Sequence, residues 1–129
     1  MRLGKAECCT CGQDDPLLLR RTRRGTECAD CQAQRRTGRA TELHHPAGRA
    51  NSTLAVPISA NTHARLTDAQ HDWPRDTLRN PRQHPSRRLA AILRAGIDTL
   101  HVVAEPLAAE LEELADWLES LDSDPPRPP

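Results

Sequence analysis

The chain has 129 residues, 36% of them hydrophobic, with two tryptophans and neither phenylalanine nor tyrosine. That is one domain's worth of protein whose N-terminal half is too poor in bulky apolar side chains to fold unaided, and a structural metal is the usual remedy. Net charge is 0 by count, but residues 1–104 carry 17 Lys/Arg against 10 Asp/Glu while residues 105–129 carry 1 against 8.

No apolar run reaches membrane length, and the start of the chain lacks the hydrophobic stretch of an export signal, which excludes a membrane-embedded role and points to the cytoplasm. In that reducing compartment five cysteines favour metal ligation over disulfides. A basic front half suits a polyanion. Seventeen of the eighteen basic residues are arginine, which either reflects two-pronged phosphate recognition or a GC-rich coding sequence.

Residues 5–36 hold the cysteines in the spacing C-x2-C-x16-C-x2-C, from Cys8 and Cys11 to Cys28 and Cys31. Each pair is expected in a tight turn that aims two thiolates at one point, with Gly12 completing the first knuckle. Four thiolates fill the tetrahedron of Zn2+ and leave no open position, so the metal would be structural. Cys9 is the odd thiol, because a one-residue spacer to Cys11 is poor knuckle geometry. Between the pairs Arg20, Arg21, Thr22, Arg23 and Arg24 form either a phosphate-contacting loop or a solvated hairpin tip.

The segment 40–74 reads as a strand over Thr41–His45, a loop over Pro46–Ser52, a second strand over Thr53–Pro57 and a helix from Ala60 to Ala69. His44 and His45 end the first strand, and His63 falls on the first turn of the helix. Residues 71–85, rich in Pro and Arg, read as a connecting loop, and Trp73 as a plug for the small core. His71, His84 and His101 are assigned no ligand role.

From 86 to 121 the apolar spacing predicts two helices, with Pro106 in the first turn of the second. Leu107, Leu111, Leu114, Leu118 and Leu121 make a seam too short to be stable alone, so the helices should form a hairpin or pair with a second copy of the chain as a homodimer. Residues 122–129 read as a disordered tail.

The stretch LHHPAGRANSTLAVPISANTHARLTDAQHDWP resembles the HNH endonucleases with the ββα-metal fold, in a bacterial and phage subgroup with an HHxxGR turn. The resemblance covers about Glu42 to Pro74, a quarter of the chain. It implies an α+β protein: a small ββα-metal core, an N-terminal four-cysteine zinc ribbon and a C-terminal helical hairpin. It also implies a DNA phosphodiester hydrolase in which His44 and His63 hold a catalytic Mg2+ or Mn2+ and His45 is the general base; the family's middle Asn has no clean counterpart, and Asn51 in the loop is taken for it ahead of Asn61 at the helix start. Arg49 and Arg65, with Arg21, Arg23 and Arg24 upstream, would contact phosphates. Two departures stand out. Ser59 and Thr62 occupy the positions of a second cysteine pair, and Thr67 stands one turn after His63 where no further ligand is supplied. The alternative reading is a nucleic-acid-binding module that keeps the zinc and the degenerate fold without cleavage.

Overall fold

The structure, a computed structural model, describes residues 6–121. The expected tail lies outside the described residues. The chain is α+β, and its strands form two separate two-stranded antiparallel hairpins. Neither hairpin is independently stable at that size. Helices pack against both, and most of the buried apolar side chains fall into two small clusters.

In the first half β1 (Leu19–Thr22) pairs with β2 (Gly25–Cys28), and α1 (Ala29–Thr37) follows without a loop. Cys28 ends β2 and is the N-cap of α1, so Cys31 lies in the helix's first turn. The expected zinc ribbon is therefore corrected: the second pair opens a helix instead of closing a strand turn. Polar helix formers from Asp30 to Arg36 favour that outcome, and the free N–H groups of a helix start favour thiolates. Gly38, with φ of +73°, ends α1 in the left-handed conformation and returns its N–H to Gln34. Leu18 packs with Cys8 and Cys28, flanked by Leu17, Leu19 and Ala64. Glu27 is buried beneath two hydrogen bonds from Arg35 (2.8 and 3.2 Å), which hold its carboxyl below the usual range.

In the second half β3 (Thr41–His44) pairs with β4 (Val56–Ser59), Thr41 opposite Ser59 and His44 opposite Val56. The second strand thus begins later than its sequence predicts, because the Leu54 amide donates to Ser52 Oγ and draws that stretch into a turn. Helix α2 (Ala60–His71) starts directly after β4. Ser59 and Thr62 have a use there: Ser59 Oγ accepts the Thr62 amide at 3.0 Å, a helix N-cap. The starts of α1 and α2 also cap each other. Asp30 Oδ1 accepts the Asn61 amide (2.7 Å) and Asn61 Oδ1 accepts the Asp30 amide (3.0 Å).

The expected loop over 71–85 contains a short helix, α3 (Arg75–Arg79), closed by Asn80 in the left-handed region at φ 35°. Trp73 is buried with Ala47, Ala91 and Ala95, and its indole N–H donates to Asp98 at 2.8 Å. Asn80 is fully buried; its amide donates to Asn51 Oδ1 (3.0 Å) and the His84 carbonyl (3.1 Å), and its Oδ1 accepts the His84 N–H (2.8 Å). Asn80→Ala would orphan those buried groups and put a Cβ-bearing residue without a stabilising amide at positive φ. We expect a loss of about 2–4 kcal/mol, read as a shifted urea midpoint with an unchanged slope.

Helix α4 (Pro85–Leu121) runs unbroken through Pro106. The predicted helical hairpin is corrected to this single long helix. Proline removes one backbone hydrogen bond, and nothing near Val103–Glu105 offers the glycine or asparagine that would turn the chain back. Ala91 and Ala95 dock on the body, whereas residues 103–120 are exposed all round.

Candidate metal centre and histidine pocket

The four cysteines of the knuckle and the helix start converge. One ligand atom from each of Cys8, Cys11, Cys28 and Cys31 lies within 4.8 Å of all the others, and the Cys11 and Cys28 sulfurs are 3.6 Å apart. Tetrahedral Zn–S bonds of about 2.3 Å require sulfurs roughly 3.8 Å apart, so the cluster fits one such ion. The knuckle is built by backbone: Cys8 receives its carbonyl's bond from the Gly12 amide at 2.8 Å, and its own N–H goes to Gln13 at 2.7 Å.

Electrostatics divide the thiols. Burial acts to raise Cys8, but backbone N–H groups of Cys28, Cys11 and Thr10 outweigh it and bring the thiol down to about 6. Burial and the neighbouring sulfurs push Cys31 up. Four sulfurs this close cannot all ionise against one another; a cation among them removes the conflict. These residues can therefore hold a structural metal ion such as zinc. Cys9 stays outside, exposed, with its sulfur 4.0 Å from Thr10 Oγ1.

The histidines meet in a second place. His44, His45 and His63 line one pocket of about 240 Å3 with Arg49, Thr67 and Gln70. Strand alternation puts Glu42 and His44 on the face of β3 that meets α2, and helical spacing puts His63, Thr67 and Gln70 on the facing side of α2. The His44 and His63 rings sit edge to face, with centroids 5.3 Å apart. Glu42 fixes the second ring: His63 Nδ1–H donates to its carboxylate at 2.7 Å, and Arg36 holds the other oxygen at 3.5 Å. A carboxylate on one ring nitrogen sets the tautomer and leaves Nε2 as the lone-pair donor, the usual arrangement behind a metal-binding histidine.

His44 is only 3% exposed. Burial first, then the neighbouring His63 and His45, hold its pKa below 6.5, so it is kept neutral. The unfolded chain takes up that proton first as pH falls, so the contribution of neutral His44 to stability is present above 6.5 and lost below it.

His45 is held by its backbone. Its carbonyl accepts from the Gly48 amide (2.9 Å) and from Gln70 Nε2 (3.1 Å), and Gln70 also reaches the Pro46 carbonyl at 2.7 Å. Gly48 has φ +81°, and a Cβ there would lie 3.0 Å from Leu78 Cδ1. The turn after the histidine pair needs glycine for both reasons. His45 Nδ1 is buried without a hydrogen-bond partner among the described residues.

Asn51 does not act on His45 directly. Its Nδ2 donates to the carbonyls of Ala47 and Thr77 (both 2.9 Å), and its Oδ1 accepts from Asn80, so it locks the loop after the histidines to the end of α3. Asn61 caps α1 and is equally engaged. Among the candidate phosphate contacts, Arg65 is ion-paired with Asp15 at 2.7 Å, whereas Arg49 is exposed and has no ion pair among the described residues. Arg21, Arg23 and Arg24 are exposed around the tip of the first hairpin. Sequence reasoning missed Glu42, Gln70 and Asn80. The first two carried a signal: Glu42 is two residues before His44 on a strand, and Gln70 is seven after His63 on a helix.

Compared with known protein families, with curated proteins and with solved structures, the chain matches none. Among the described residues no helix is long and apolar enough to cross a membrane.

Proposed function

We propose that the protein is a metal-dependent nuclease of the HNH type, hydrolysing phosphodiester bonds in DNA at the histidine pocket. One observation carries the reading: three histidines from a strand end and a helix start share one small pocket, with a carboxylate behind His63 and the exposed Arg49 at its edge. A structural role alone gives the Glu42–His63 pair and the neutral, buried His44 no reason to meet there.

In this reading His44 and His63 hold a divalent ion, Mg2+ or Mn2+, which when bound supplies positive charge to the scissile phosphate and the leaving oxygen. His45 takes a proton from water as the water oxygen bonds to phosphorus. The bond from phosphorus to the 3′-oxygen breaks, and that oxygen leaves with a proton from solvent. Arg49 contacts a flanking phosphate. With no recognition helix in view, binding rests on phosphates and weakens steeply with salt.

A second reading is a zinc-stabilised DNA-binding module without cleavage. Thr67 in place of a third ligand, and an Asn51 committed to backbone carbonyls, favour it. Supercoiled plasmid separates the two. Protein verified to retain its zinc should nick the plasmid when Mg2+ or Mn2+ is added and not in metal-free buffer. Salt-sensitive binding without nicking under every ion would establish the second reading instead.

A further inference from the structure

Helix α4 presents two apolar faces, and the body of the protein uses only one. Ala91 and Ala95 are buried on the body beside Asp98, which holds Trp73. At ~100° per residue, Leu89, Leu93, Leu100, Leu107, Leu111 and Leu118 form a continuous stripe centred roughly 150° away from that Ala face. All six are exposed, between 52% and 68%. The stripe is therefore left largely uncovered even where the helix touches the body, although Leu100 also edges a groove with Pro46, Ala47 and Leu54, and it continues along residues 103–120, which are exposed all round. Its steps are four or seven residues, with a four-residue step at Leu107–Leu111 that shifts the heptad phase, the spacing of a two-helix seam with a stutter.

Charge identifies the partner. From 85 to 104 the helix carries Arg87, Arg88 and Arg94 against Asp98 alone; from 105 to 121 it carries six acidic residues and no basic one. Such a reversal of sign is complementary to itself when the helix is turned end for end. A parallel pair would stack the acidic halves on each other, and an anionic membrane surface would repel them. We infer that α4 is the seam of a two-fold symmetric homodimer in which the helices of two copies pack antiparallel, basic half against acidic half. Setting Leu89 of one copy beside Leu118 of the other puts residues 103 and 104 at the two-fold axis. The bodies then lie on opposite outer sides of the helix pair, and both histidine pockets stay clear of the seam. The interface is isologous and closes at two copies.

The inference does not depend on the nuclease reading. Its test is sedimentation equilibrium of the full zinc-loaded chain, which should give twice the 14.3 kDa chain mass. A Leu107→Glu/Leu111→Glu variant should give the single mass with its zinc retained, since both positions are solvent-exposed in one copy. Orientation follows from cross-linking in a Cys9→Ser background: a mixture of Leu89→Cys and Leu118→Cys chains should form the mixed disulfide in preference to either like pair. A wild-type chain that stays at the single mass at its highest soluble concentration overturns the proposal. A dimer that links Leu118→Cys chains to each other shows a parallel seam and overturns it as well.

Discussion

Cys28→Ser should leave the chain without its metal and without a folded first half. Cys28 is wholly buried, stands at the N-cap of α1 and lies against the other thiols, so serine removes a ligand from the middle of the cluster that packs β1, β2 and α1 together. Structural zinc in a four-thiolate site contributes on the order of 10 kcal/mol of folding free energy, comparable with the whole stability of a small domain. The loss should not stop at residue 37. Ala64 of α2 packs on that cluster, and the Asp30–Asn61 pair of reciprocal caps joins the starts of α1 and α2. Hydrogen exchange should therefore rise through the first turns of α2, where His63 sits, as well as through α1. Zinc content, far-UV circular dichroism and exchange on the same sample check it. Cys9→Ser, outside the cluster, should change none of the three. A Cys28→Ser chain that unfolds at the wild-type temperature would show that the thiols are not what holds this half together.

What could be read in the sequence depended on how local the cause was. The cysteine frame was legible because four ligands around one ion impose spacing directly on the chain. The hairpin followed by a helix was legible from strand alternation near His44, whereas Ser59, read only as a missing cysteine, proved to be the helix cap. Helix α1 was hidden, since its residues are polar and it contributes one buried side chain, Ala33, instead of a stripe. Helix α3 has five residues and is fixed by Asn80, whose partners Asn51 and His84 come from separate segments; such a knot has no period to detect. Pro106 was read as a helix start because proline favours a first turn, yet Ala104 and Glu105 before it continue the helix at the cost of one hydrogen bond. The histidine pocket was legible in its three rings but not in its support. Glu42 and Gln70 look like ordinary polar surface until β3 and α2 are placed face to face.

His45→Ala should lower the cleavage rate by about 10²–10⁴-fold, the range for a lost general base, or about 2.7–5.4 kcal/mol of transition-state stabilisation. The substitution is clean because the pocket wall at this position is built from backbone. Gly48 and Gln70 bond the His45 carbonyl, which alanine keeps, and Asn51 holds the rest of the loop through Ala47. His44 offers no such separation: it is buried, and truncating it would cost packing together with any metal it holds. Binding of Mn2+ by His45→Ala should match wild type, as should plasmid binding and thermal stability, while nicking falls. Added imidazole should restore part of the rate by entering the space the ring leaves. That rescue separates a missing base from a disturbed fold, since imidazole cannot refold a loop. A His45→Ala protein that cuts at the wild-type rate would remove His45 from the chemistry and return the role of base to His44 or His63.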